Sequence, residues 1–402
     1  MDPSSTGERG RGLALTRRTI AVSAAHLTGW ARKHALPFWA TVGYDAQNNR
    51  FEEQVTIAGE RMRDGPIRLM VQARQIHVYA LAARRGWYEP ALPLVERAFR
   101  SMQRDFHRRD GLDGWAFSIM RDGKAADPIR DLYAHAFVLL AIASYVEATG
   151  KSDVLTLADE SLAFLDDSFL APRGGGYVEA VPLRAGHRRQ NPHMHLFEAL
   201  LALWECSRQR RYLERAEELF VLLKSRFFQN GSGALVEYFD DELGPAAGLD
   251  GTVVEPGHHY DWCWLLRRFE RATGRQDPGS LVDALYAHAD RNGFDPEGLI
   301  VDEIFADGTR KTQSRRLWPM TEAIKCNLVE GARGRTGCLD KAAVLTGLLA
   351  ARFLEPAVQG GWIDRLDADG RPIGDFIPAS SLYHVMGAID ELQQVATGHV
   401  DA

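Results

Sequence analysis

Cysteine is scarce: four residues in 402, Cys206, Cys263, Cys326 and Cys338, with no pair at CxxC spacing. So few and so scattered, they exclude a disulfide framework and suit a reducing, cytoplasmic setting. Charge of one sign is lacking too. Lys and Arg number 48 against 54 Asp and Glu, a net charge of −6. That balance excludes a nucleic-acid binder or a polybasic membrane anchor. Long apolar runs are missing; the longest, Ala136 to Val146, is short of the ~18 residues of a membrane span and is already broken by Ser144. Arg17-Arg18 resembles the start of a twin-arginine leader, but the pattern continues helically through His26, Trp30 and Lys33 without a cleavage site. There is no Walker loop, no GxGxxG after a strand and no GxSxG, so nucleotide-dependent chemistry is not expected.

What is present is helical periodicity. Apolar residues make up 45% of the chain, enough for a sizeable core. After a polar, Gly/Ser-rich start at 1–12, expected to be a frayed tail, the pattern predicts one domain over 13–402 built from twelve helices. They fall near 14–34, 66–85, 89–107, 129–149, 151–169, 191–208, 211–226, 256–274, 277–291, 318–334, 336–354 and 378–396. Pro66, Pro128, Pro192, Pro256, Pro319 and Pro378 sit in or near first turns, where the missing N–H costs nothing. The connections alternate between short and long, which predicts six antiparallel hairpins with every long loop at the same end. An all-α, closed (α/α)6 barrel satisfies this, with an open solenoid as the runner-up. Similar Gly-aromatic and Asp-Gly pairs in the long loops, such as Gly114-Trp115 and Asp122-Gly123, predict small β-hairpins capping that mouth.

Each helix that follows a long loop then starts at the mouth, and there the unusual residues gather. Tyr133 and His135 open one helix, Asn191, His193 and His195 another, and Glu255, His258, His259 and Asp261 a third. Trp318, Thr321 and Glu322 open a fourth and Tyr383-His384 the last, while Arg74 lies two turns into the first. Converging polar groups on a concave face mark a site. Most of the 13 histidines have a bland reading as surface or satisfied core residues, and His193 and His259 should face neighbours rather than the lumen. Arg74 has a structural ion pair as its alternative, and Trp318 has simple packing. His195, His258, His384 and a carboxylate could hold a metal, yet no HxxxH or HExxH pair supports one. We therefore expect neither metal nor cofactor.

The order of the motifs carries a resemblance. Gln72-Ala73-Arg74-Gln75, Tyr133-Ala134-His135-Ala136-Phe137, Asn191-Pro192-His193-Met194-His195, Glu255-Pro256-Gly257-His258, Trp318-Pro319 with Glu322, and Tyr383-His384 follow one another along the chain. From about residue 25 to 395 the sequence resembles the N-acylglucosamine 2-epimerase superfamily of (α/α)6-barrel sugar epimerases and aldose–ketose isomerases, its D-mannose isomerase branch above all. The resemblance implies two catalytic histidines, His258 and His384, working without metal. It also implies a sugar-binding shell of Arg74, Tyr133, Asn191, His195, Asp261, Trp318 and Glu322. Asp261 stands where the branch commonly has Glu, and was expected to orient His258.

The chemistry then expected is mannose–fructose interconversion: loss of the C2 proton, a cis-enediol(ate), and return of the proton to C1. We assign His384 as the C2 base and His258 to ring opening and proton return, the reverse being nearly as good. Alternatives on the same residues are 2-epimerisation of glucose, cellobiose or an N-acylated amino sugar, and action on mannose 6-phosphate with Arg184, His187, Arg188, Arg189, Arg315 and Arg316 as phosphate ligands. From other classes come a glycoside hydrolase using Glu255, Asp261 and Glu322, and a non-catalytic binding protein. A small monosaccharide is the expected partner, with no nucleic acid or membrane, on a monomer or homodimer.

Overall fold

In the computed structural model the protein is described over residues 3–229 and 231–398, with side chains from Thr16 onward. Its helices are α1 (Pro3–Trp30), α2 (Leu36–Thr41), α3 (Leu69–Arg84), α4 (Ala91–Phe106), α5 (Leu132–Thr149), α6 (Leu155–Ser168) and α7 (Gln190–Ser207). There follow α8 (Arg210–Leu222), α9 (Pro256–Thr273), α10 (Pro278–Asn292), α11 (Leu317–Ala332), α12 (Cys338–Leu349) and α13 (Leu382–Thr397). Of the polar start, residues 1 and 2 lie outside the described residues, and the backbone from Pro3 is already the beginning of α1. α2 continues α1 through a π-helical turn at Ala31–Ala35. Pro37, which can donate no backbone hydrogen bond, lies just beyond that turn. Twelve rods result, as the periodicity predicts.

Six of the rods, α3, α5, α7, α9, α11 and α13, touch in sequence and close on themselves through α13 and α3. The others form an outer layer, so the arrangement is the (α/α)6 barrel. Five short turns join each inner helix to the outer helix after it, two of them through glycines at φ 72°, Gly150 after α5 and Gly274 after α9. The expected sixth hairpin is corrected here. α1 packs on α13, the far end of the chain, because a ring with six long loops has only five short ones. α5 is long and apolar enough to cross a membrane by composition alone, but it is a barrel stave with most of its length buried.

At the long-loop mouth the strands do more than form hairpins. Hairpins are present, as at Tyr44–Asp45 with Arg50–Phe51 and Phe228–Gln229 with Ala234–Leu235. Two-residue strands also stitch each loop to the next: Ile67–Arg68 to Ser118–Ile119, Arg130–Asp131 to Ala180–Val181, and Arg188–Arg189 to Tyr238–Phe239. Val253–Val254 to Ile304–Phe305 and Arg315–Arg316 to Arg365–Leu366 continue the series, and Phe376–Pro378 with Gln54–Thr56 closes the circle. Every inner helix thus starts from a strand fixed at the same height.

Candidate active site

That common height puts the inner helices in register. The residue before each inner helix is Arg68, Asp131, Arg189, Glu255 or Arg316, and Pro378 precedes the 3-10 turn that leads into α13. Positions two, six and nine residues further on share one helical face. The second position carries Met70, Tyr133, Asn191, Gly257, Trp318 and Ser380. The sixth carries Arg74, Phe137, His195, Asp261, Glu322 and His384, and the ninth His77, Leu140, Glu198, Trp264, Lys325 and Gly387. An ordinary barrel core would fill these layers with aliphatic side chains. Here the sixth layer holds five polar or ionisable groups.

The fourth position has another task. His135, His193 and His259 point into the wall, where each Nε2 accepts a backbone N–H from a loop, of Trp115 at 3.2 Å, Tyr177 at 3.0 Å and Leu235 at 3.1 Å. Gln72 and Met320 accept from Phe51 and Ile300 in the same way. Nδ1 of His135 and His193 donates to the carbonyl one turn back. Burial pushes both histidines down to about 4, so they stay neutral. These are structural clamps, as the spacing of His193 and His259 suggested.

His258 and His384 flank Trp318, with ring centroids 4.9 and 5.6 Å from the indole. Gly257 makes this possible, since a Cβ there would lie 2.6 Å from the Trp318 ring. The two histidines are 4% and 7% exposed, yet their surroundings differ in charge. His258 Nδ1 donates to Glu237 Oε1 at 2.9 Å, with Glu255 Oε2 at 4.0 Å. Burial opposes its charged form, but Glu237 and Glu255 together outweigh burial and raise the imidazole to about 9. Glu237 is itself held by Gln190, whose Nε2 donates to Glu237 Oε2 while its Oε1 accepts from Trp262. His384 Nδ1 donates to Glu322 Oε1 at 2.8 Å. Burial, then the charges of Arg74 and Lys325, hold this imidazole well below its ordinary value. One histidine is an acid at neutral pH and the other a base.

Around them, His195 Nδ1 donates to Glu198 Oε2 at 3.0 Å, and the Tyr383 hydroxyl donates to Glu198 Oε1. Arg74 makes no ion pair among the described residues. Its guanidinium donates to the Tyr133 hydroxyl and lies over the rings of Phe137 and Tyr383, at 4.1 and 5.0 Å. Arg74 Nε and Asn191 Oδ1 are buried without a partner, a donor and an acceptor left for something that enters.

One expectation changes. Asp261 does not hold His258; Glu237 does. Asp261 sits on the lumen stripe, 3.6 Å from Lys325 and away from the loop side where His258 turns. Glu322 and Asp261, 0% and 2% exposed, share the sixth layer with His195 and His384. The basic loop residues are matched: Arg184 pairs with Asp127, His187 with Asp250, Arg189 with Glu179, Arg315 with Asp295, and Arg316 with Glu255 and Asp302. Arg188 is spent on the carbonyls of Arg173, Gly175, Tyr177 and Asp241. Glu237, Gln190, Glu198 and Lys325 were not anticipated. Glu198 and Lys325 were available as the next turn of the stripe after His195 and Glu322. Glu237, in a loop, carried no signal. Glu237, Glu255 and His258 also offer three ligand atoms within 4.8 Å of one another, the one such group among the described residues.

An (α/α)6 barrel with an acid histidine and a base histidine facing one polar lumen has the equipment of an aldose–ketose isomerase or epimerase. Comparison with known proteins gives the same class. The sequence profile of N-acylglucosamine 2-epimerase (GlcNAc 2-epimerase) matches residues 51–388, and the chain belongs to that family. It is 33% identical to a mannose-6-phosphate isomerase of Rhizobium meliloti (strain 1021), over 93% of this chain and 97% of the relative. It is 28% identical to a D-mannose isomerase of Thermobifida fusca, over 82% and 85%. The solved structure of cellobiose 2-epimerase from Spirochaeta thermophila DSM 6192 superposes with a TM-score of 0.84 at 24% identity, covering 96% of this chain and 99% of that one.

Proposed function

We propose that this enzyme interconverts D-mannose and D-fructose by metal-independent proton transfer. The observation that carries the reading is a pair of buried histidines beside Trp318, each with its Nδ1 held on a carboxylate, Glu237 for His258 and Glu322 for His384. His384, neutral with Nδ1–H on Glu322, presents Nε2 as the base for the C2 proton of the open-chain aldose. His258, charged, delivers a proton to the ring oxygen during opening and takes up the proton that leaves the anomeric hydroxyl. Arg74, buried with no carboxylate partner among the described residues, matches the negative charge that develops on the carbonyl oxygen as the enediolate forms. The O2 hydroxyl proton passes to O1, and His384, its proton exchanged with solvent, protonates C1 to yield the ketose. Tyr133, Asn191, His195 and Trp318 would contact the hydroxyls and ring face.

Two other readings have support. Two histidines against the indole also suit 2-epimerisation, in which the proton returns to the opposite face of C2, and a cellobiose 2-epimerase shares the fold. The name of the Rhizobium relative favours mannose 6-phosphate; the pairing of the rim arginines argues against a phosphate ligand. A glycoside hydrolase would need two carboxylates facing the cleft, and here Glu255, Asp261 and Glu322 serve Arg316, Lys325 and His384. The four unpaired cysteines suit a reducing compartment. Product analysis with EDTA-treated enzyme decides. Fructose from mannose, at a higher kcat/KM than for mannose 6-phosphate, supports the proposal. Glucose alone, preference for the phosphate, or loss of turnover on metal removal each replaces it.

A further inference from the structure

Below the site the barrel is floored by a buried cation. Lys325, 3% exposed, stands one turn beyond Glu322 on α11. Its ammonium pairs with Glu322 Oε2, lies 3.6 Å from Asp261 Oδ1, and sits 3.8 Å from the centroid of Trp264. On its other side is a cavity of about 220 Å³ at the short-loop end, which Lys325 shares with His77, Glu198, Trp264 and Gly387. Glu322 Oε1 meanwhile holds Nδ1 of His384. The order is therefore ammonium, carboxylate, imidazole, with a second carboxylate beside the first.

Two carboxylates in one buried layer cannot both stay ionised without a cation. We propose that Lys325 is a positioning residue for the reaction, keeping Glu322 ionised against Asp261 so that Glu322 goes on accepting the Nδ1–H of His384 and Nε2 stays free as the base. This rests on the isomerase reading. The other charged or titratable groups facing this layer do not replace the ammonium. From α3, Arg74 faces the cleft side and His77 is neutral, held at about 4 by burial. From α7, Glu198 adds negative charge and is tied to His195 and Tyr383. α5 presents only Phe137 and Leu140 at these heights, and on α9 Arg268 is bound to Glu205. Glu391 of α13 accepts from Trp264.

The test is Lys325→Met beside Lys325→Arg. With the ammonium gone, the Asp261–Glu322 pair keeps a proton to higher pH. Carboxyl-carbon NMR, assigned with Glu322→Gln, should show its titration step moving up by about a unit or more in Lys325→Met. The acid limb of kcat should move with it, and kcat at pH 7 should fall about tenfold or more with KM unchanged. Lys325→Arg, which keeps the charge, should keep both at their original pH even where it melts earlier. An unmoved carboxyl step in Lys325→Met, or a step displaced in Lys325→Arg, overturns the proposal. The NMR step is read without substrate, so a wrong sugar would leave this result standing.

Discussion

The difference between His258 and His384 comes from the first groups they touch. Glu237 and Glu255 make one an imidazolium; burial, with Arg74 and Lys325 near, keeps the other neutral. The imidazolium is needed protonated, so activity should hold below about 9 and fall as pH rises through it. Glu237→Gln keeps the shape and removes a charge, and should move that alkaline limb of kcat down by about a unit or more; a limb left in place would free His258 of this role. Gly257→Ala tests the other contact. A Cβ 2.6 Å from the Trp318 ring must displace the indole, and KM should rise several-fold while the melting temperature changes little. At this scale the sequence was informative where a residue type was odd for its place: His258, His384 and Trp318 stand at helix starts, and Arg74 further along its helix, where an aliphatic residue would serve. It was silent on Glu237, which stands 21 positions before His258 in a loop whose path only the folded chain reveals.

At the scale of the element, the two faces of each inner helix do different jobs. The second, sixth and ninth positions address the lumen; the fourth addresses the loop. Replacing His193 by Leu leaves the Tyr177 N–H buried and unpaired, and should cost about 1–3 kcal/mol in unfolding free energy without altering the pH profile of kcat. Thermal or urea unfolding measures this. The same clamps give stability a pH dependence. Their folded value, about 4, lies below the unfolded one, so their contribution is complete above about 6.5 and is lost as pH falls toward 4. Helices, their alternation and their proline-marked starts were legible because 3.6-residue periodicity is strong over four or five turns. The stitching of loop to loop was not, because two-residue strands carry no period.

At the scale of the molecule, the ring explains why one mouth has the chemistry. Six long loops must share an end, and their strand pairs fix six helix starts at one height, so residues far apart in the chain become one layer. The inner ring closes through α13 and α3, and α1 completes the outer layer by packing on α13, which the alternation of loops alone did not reveal. The rim has matched charges, Arg68 with Glu53, Arg189 with Glu179 and Arg316 with Glu255, which suits a neutral sugar. The central claim is proton transfer at carbon through His384. Proton NMR of the enzyme turning over D-mannose in D2O tests it most directly, with His384→Ala alongside. Solvent deuterium at C1 of the fructose formed, and no exchange or product with a folded His384→Ala variant, is the predicted result. Exchange or product undiminished in a folded His384→Ala variant would contradict it.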